Sequence, residues 1–303
     1  MAAVKSVKAK INGQEYTLTY NSTDGTYQAT ITAPTKSSFN QSGGFYDVSV
    51  TADDVAGNTV TVNSTDETFG GSLKLYVKEK TAPVSTITYP TASALIANNK
   101  PTIKWTVTDD DSGVKADSIG IAIDNGTKVT GSAISKTAIT GGYSCTYTPG
   151  TALSDGSHTI AVSASDNDGN AATTVSLQFK VDTTPPTLNV TAPANNDITN
   201  KSSCTVSGAT NDLTSSPVTI TVKLNSGTAK NVTVNSDGSF TTTVTLADGV
   251  NTITVTATDS AGKTTTITRT VTFDDTAPVI KTIGLTPNPV DAGKTYIITV
   301  KVE

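Results

Sequence analysis

Along most of the chain, apolar residues alternate with threonine, serine, asparagine and lysine, the period of two expected of β-strands that bury one face. Residues 48–58, 160–170 and 253–263 share one version of this pattern. Alternate positions (Val48, Val50, Ala52; Ile160, Val162, Ala164; Ile253, Val255, Ala257) point to a core, and an acidic loop follows that contains Gly57, Gly169 or Gly262. Each predicts a strand running into a hairpin turn in which the glycine supplies a positive φ. An equally apolar second strand is predicted after each turn, ending at 75–77, 179–181 and 271–273, and proline-containing linkers follow at 80–83, 182–186 and 275–278. Proline lacks the N–H that would extend a ladder, so these linkers mark module boundaries. Apolar residues nowhere recur at i, i+3, i+4 and i+7 over three turns, so almost no helix is expected. The fold class is all-β, with tandem sandwich modules of about 100 residues in an elongated array.

The boundaries are 1–80, 81–182, 183–275 and 276–303, and the first and last segments are not whole modules. In the complete third module two strands, near 188–192 and 204–207, precede the segment 220–225. The beginning of the sequence matches that later segment: Val7, Ala9, Ile11 and Asn12 fall on Ile220, Val222, Leu224 and Asn225, and residues 21–27 fall on 235–240. Residues 279–285 and 296–302 match the two opening strands. The expectation is that 1–80 lacks two strands and 276–303 supplies them. Val279, Ile280, Ile283, Leu285, Tyr296, Ile297, Ile298 and Val300 are the donor residues; Ile11, Leu18, Tyr27 and Val48 are the acceptors. An open sandwich leaves a core face wet and sheet edges unpaired, which invites a strand from another chain. Donor and acceptor at opposite ends pair head to tail, giving a ring or a filament. Closure within one molecule, and sequence ends that cut the repeat at one place by chance, are the alternatives.

The turn pattern Ala-x-Asp-x-Ala-Gly-Asn at 52–58 and the linker type Asp-x-Thr-x-Pro resemble bacterial immunoglobulin-like repeats, over essentially the whole chain. The resemblance implies immunoglobulin-like β-sandwich modules of the kind found in surface adhesins, spacers of secreted enzymes and phage tail or capsid-associated proteins. It specifies fold more strongly than function. The expectation is a non-catalytic structural protein, an extended rod that pairs with itself head to tail as a fibre or as a virion or surface component. A glycan- or protein-binding adhesin module and an inert spacer of a larger secreted protein are the alternative readings.

Composition narrows the partners. The formal net charge is −5, the pI is near 4.9, and the 21 lysines and arginines are scattered singly, so no nucleic-acid-binding patch is expected. No apolar run approaches the roughly 18 residues of a membrane span, and the first ten residues lack an apolar signal core. An extracellular or virion location is expected, with no signal peptide in this chain. No enzyme is expected. His158 opens a strand after the turn at 155–157, where exposure is expected, and Cys145 and Cys204 lie in alternating strands of different modules, as reduced core residues. Trp105, between Ile103 and Val107, reads as core, and Lys104 as outward, away from any isopeptide partner. The acidic loops at Asp53 and Asp54, at Asp109, Asp110 and Asp111, and at Asp166 and Asp168 have the oxygen ligands Ca²⁺ takes, and Asp182, Asp274 and Asp275 could complete linker sites. Turn capping is the simpler role for them. Lys80 interrupts the acidic linker pattern, and Asp259 is the sole acid of the third loop. Hence no cofactor is expected, and Ca²⁺ is expected to be dispensable for folding.

Overall fold

The computed structural model describes residues 3–303, which are all-β with short 3₁₀ turns as their helical content. The chain divides into two units, 1–181 and 182–303.

The first unit holds two modules. In the first, Gln14–Thr17, Val4–Ile11, Tyr46–Asp54 and Thr59–Val62 form one antiparallel sheet, with Lys74–Leu75 also pairing Tyr46–Asp54. A separate small hairpin joins Thr19–Asn21 to Thr26–Gln28. In the second module, Ser135–Ile139, Gly142–Tyr147, Ile103–Thr108 and Val84–Tyr89 form a four-stranded sheet. Val129–Thr130, Gly120–Ile123, Gly156–Ser163 and Val175–Val181, with Leu95–Ile96 added in parallel, form a five-stranded one. Inward alternation from both sheets builds one core. Ile103, Trp105, Val107 and Cys145 come from the first sheet and Ile121, Ile160, Val162, Phe179 and Val181 from the second.

The second unit repeats that plan. Thr187–Ala192, Ser203–Asn211 and Ser239–Thr245 form a three-stranded sheet; Asp197–Thr199, Thr264–Phe273, Gly249–Thr258, Thr219–Leu224 and Lys230–Val232 form a five-stranded one. Val206 and Phe240 meet Ile220, Ile253, Val255 and Val271 in the core. Beyond it, Ile280–Thr286 and Ile297–Val302 pair with each other alone.

The register identifies equivalent strands. Ile11, Ala9 and Val7 pair with Val48, Val50 and Ala52; Leu224, Val222 and Ile220 pair with Ile253, Val255 and Ala257; Ile123 and Ile121 pair with Ile160 and Val162. The hairpin glycines Gly57, Gly169 and Gly262 have φ of 93°, 97° and 83°. Two expectations are corrected. The second strand of the first repeat breaks after Val62 and resumes only at Lys74–Leu75, because residues 63–73 form Asx turns on Asn63 and Asp66 and a 3₁₀ turn at Gly70–Leu73. His158 is buried rather than exposed: it is in step with Ile160 and Val162, so its ring points inward, 5.8 Å from the Phe179 ring.

Candidate assembly surface and acidic clusters

Strand pairs sit on one face of their sheet together, so the register of the last hairpin assigns its two faces. Ile283 faces Val300 and Leu285 faces Ile298, on the side also carrying Tyr296 and Val302; Thr282, Gly284 and Thr286 face Lys301, Thr299 and Ile297 on the other. The first face is apolar and the second mostly polar, which is the pattern of a strand pair with a core on one side. Yet Ile298 is 58% exposed and Val300 47%, whereas Trp105 and Val107 of the second module are fully buried. Val279 and Ile280 are exposed as well, and Val279 exchanges two backbone hydrogen bonds with Glu303. All eight donor residues therefore share one exposed hairpin.

The acceptor residues lie in the first module. Ile11, Leu18, Tyr27 and Val48 are half-buried, and so are Val50 and Ala52, although their equivalents Ile253, Val255 and Ala257 are fully enclosed. Among the described residues of this sheet, the buried apolar side chains are Val7, Ala9 and Tyr46. The two opening strands that cover the corresponding face in the third module have no equivalent among residues 3–80. Tyr20 and Tyr27 pair on the small hairpin with ring centroids 5.2 Å apart and planes tilted by 52°.

The acidic loops do cap turns. Asp54 Oδ1 accepts from the N–H of Ala56 and Asn58, Asp109 Oδ1 from Asp111 and Gly113, and Asp166 Oδ1 from Gly169 and Asn170. Hydrogen bonds from Asn58 and from the Thr59 and Ser6 hydroxyls hold the carboxyls of Asp54 and Asp53 below the usual range. The fold also gathers acids from distant loops. Glu79, Asp109 and Asp166 are buried together with ligand oxygens within 4.8 Å of one another, and so are Asp182, Asp212 and Asp259. Asp110 remains exposed, Asp111 accepts from the Ser37 N–H, and Asp168 accepts from the Glu79 N–H. Asp274 caps Thr276 on the surface instead of joining Asp182. Glu79 and Asp212 were invisible to a reading of separate loops; the signal was an acid at the end of a core strand or at the linker, repeated in each module.

Groups with nucleophile or base chemistry are occupied structurally. Cys145 and Cys204 are free and buried, and burial pushes the Cys145 thiol up to about 11. His158 Nδ1 lies 2.7 Å from Asp124 Oδ2 and Nε2 2.7 Å from the Ser154 carbonyl. Burial opposes its charge, but the Ser154 carbonyl and the Asp124 carboxylate outweigh this and raise its pKa. A cleft of about 980 Å³ in the third module, between Thr187 and Asn235, has no aromatic ring in its lining on which a sugar could stack. No helix among the described residues is long and apolar enough to cross a membrane.

Residues 89–183 match the family described as Bacterial Ig-like domain, and residues 186–275 match that described as Glucodextranase, domain B. No curated protein matches the chain in sequence. Among solved structures, the fibronectin(III)-like modules of Clostridium thermocellum CbhA are similar over 63% of this chain and 94% of theirs (16% identity, TM-score 0.38). An I-band fragment of titin is similar over 90% and 89% (14%, 0.43). The Bacteroides ovatus mixed-linkage glucan utilization protein SGBP-B, in complex with a heptasaccharide, is similar over 96% and 69% (18%, 0.21).

Proposed function

We propose that this chain, whose residues 89–183 match the Bacterial Ig-like domain family, is a non-catalytic structural component of an extracellular surface or virion, built of tandem immunoglobulin-like domains, that assembles head to tail by strand complementation. The hairpin of Ile280–Thr286 and Ile297–Val302 inserts its apolar face against the open sheet of the first module in the next molecule. The observation that carries this reading is a complementary pair of defects: a sheet whose register equals that of the third module but whose inward residues stay half-exposed, and a strand pair whose apolar face stays exposed. Each defect leaves apolar area in water at about 25 cal/mol per Å². Each also leaves edge N–H and C=O groups ready to extend a ladder.

Sedimentation velocity of the full chain across a concentration series tests this, beside a chain lacking residues 279–303. Growth with concentration is expected for the first and a monomer for the second. Adding a peptide of residues 276–303 in excess should raise the protection of Val4–Ile11 amides in the shortened chain. A full chain that stays monomeric throughout overturns head-to-tail assembly. If deletion then weakens the first module, closure is intramolecular; if deletion changes nothing, the two surfaces have other partners.

A further inference from the structure

We infer that Asp182, Asp212 and Asp259 form a binding site for one hard divalent cation, Ca²⁺ by its ligand chemistry. The three acids come from separate parts of the second unit. Asp182 is its first residue, Asp212 follows the strand Ser203–Asn211, and Asp259 follows Gly249–Thr258. All three are buried, at 0%, 8% and 6% exposure. One oxygen of each closes a turn: Asp182 Oδ1 accepts from the Thr184 N–H at 3.1 Å, Asp212 Oδ1 from Thr214 and Ser215 at 2.8 and 2.7 Å, and Asp259 Oδ1 from Lys263 at 2.8 Å.

Capping accounts for those oxygens only. Asp182 Oδ2 and Asp259 Oδ2 are buried and accept no hydrogen bond, and the hydroxyl of fully buried Ser215, whose N–H reaches Asp212, also lacks a partner. Capping acids elsewhere have an outlet for the second oxygen: Asp54 Oδ2 accepts from Asn58 Nδ2 at 2.8 Å, and Asp237 and Asp274 cap exposed turns open to solvent. Nor does a lysine or arginine neutralise the cluster: the ion pairs among the described residues are Lys8–Glu15, His158–Asp124 and Lys281–Glu303. A buried carboxylate oxygen without donor or counter-charge is costly, so Asp182 Oδ2 and Asp259 Oδ2 call for a cation.

The second module provides an internal comparison. Its equivalent acids, Glu79, Asp109 and Asp166, are satisfied by protein. Ser112 Oγ donates to Glu79 Oε1 at 3.0 Å, the Thr81 N–H donates to Glu79 Oε2 at 2.8 Å, and Asn170 Nδ2 donates to Asp166 Oδ2. Two substitutions undo this in the third module. Asp182 is one methylene shorter than Glu79, and Ser215, in the place of Ser112, is left unpaired. Lys263 replaces Asn170, so no side-chain amide reaches the second oxygen of Asp259. Oxygens around one Ca²⁺ at about 2.3–2.6 Å stand at most about 5 Å apart. The ligand oxygens of this triad all lie within 4.8 Å of one another. An all-carboxylate set without nitrogen or sulfur suits a hard cation, and buried acids presented by loops suit Ca²⁺ better than Mg²⁺, which keeps several of its waters. Bound there, the ion ties residue 182 to two loops of the third module.

The test is titration calorimetry of the full chain, stripped with EDTA and desalted, against calcium chloride and magnesium chloride. Hydrogen exchange of Gly249–Thr258 is followed in parallel during thermal melting. One Ca²⁺ per chain is expected, with Mg²⁺ weaker, and a rise in the melting of that strand of about 10 °C when free Ca²⁺ is 100-fold above Kd. Asp259→Asn should abolish the heat and melt higher than the parent chain in EDTA, because its amide can donate to Asp182; Asp182→Asn should do the same. Glu79→Gln should leave stoichiometry and affinity unchanged. Absence of heat with both salts together with equal melting in Ca²⁺ and EDTA overturns the site. So does binding that survives Asp259→Asn, or is lost only in Glu79→Gln. Tighter binding of Mg²⁺ overturns the assignment to Ca²⁺.

Discussion

Replacing Ile298 or its neighbour Ile297 by aspartate gives opposite outcomes if the last hairpin is an inserting element, because the two side chains point to opposite faces. The apolar face carries Ile283, Leu285, Tyr296, Ile298, Val300 and Val302, each 45–65% exposed. Fully burying such a side chain is worth about 1.5–3 kcal/mol, so each still has about 1 kcal/mol to gain and the six together roughly 6 kcal/mol. Ladder hydrogen bonds along the accepting edges add about 0.5–1.5 kcal/mol each, against an association cost of at least about 4 kcal/mol. With about six ladder bonds at about 1 kcal/mol each, the balance reaches the roughly 8 kcal/mol of a micromolar complex. Ile298→Asp removes about 1 kcal/mol of burial and adds several kcal/mol for an unpaired buried carboxylate, which shifts the association constant by about a thousandfold or more. Ile297→Asp lies on the solvent side beside Thr299 and Lys301 and changes association by under about 0.5 kcal/mol. Sedimentation velocity from about 1 to about 200 μM covers the expected range. Ile297→Asp should grow with concentration as the parent does, and Ile298→Asp should remain a monomer. If both variants assemble, or both fail, the face assignment and the insertion it implies are refuted.

Other consequences follow from single groups. Trp105 is fully buried and its indole N–H has no partner, so Trp105→Phe should cost under about 2 kcal/mol while Trp105→Ala costs about 3–5 kcal/mol, read from denaturant midpoints of the second module. His158 has a raised folded pKa, so the stability it confers is present below its unfolded pKa of about 6.5 and is lost as pH rises through the folded value. Melting of the second module should fall as pH rises above about 6.5, and His158→Gln should flatten that slope; a profile rising with pH there would contradict the pairing with Asp124. Burial raises both cysteine thiols, so neither should react with a disulfide reagent at neutral pH until the chain is denatured, when two equivalents should react.

The all-β class was legible because period-two alternation, hairpin glycines and linker prolines agree with one another in each repeat. Ile160, Val162 and Ala164 and their third-module equivalents are buried as the alternation requires. Even the correspondence of Val7–Ile11 with Ile220–Leu224 was readable from residues, and the strand register reproduces it position for position. His158 was misplaced because the turn before it was weighed above its step with Ile160. Tyr46, His158 and Asn251 all stand two residues before the first core residue of their strand, and all three are buried. Three dissimilar residues at one inward position hid a rule that the spacing alone contained.

The acidic clusters were harder to see for a different reason. Capping is a local property, fixed by an acid and the two to four residues after it, and the sequence shows it directly. A cluster is a property of topology. Asp182, Asp212 and Asp259 come together because a linker and two strand ends of opposite sheets meet at one end of a sandwich, which no single loop encodes. Capping and clustering concern different atoms of one side chain: in Asp259 one oxygen closes its turn and the other accepts no hydrogen bond. The distinction also sets what each substitution tests. Asp259→Asn keeps the oxygen that caps and alters the one that does not, whereas Asp259→Ala removes both, so only the first separates a turn from a site.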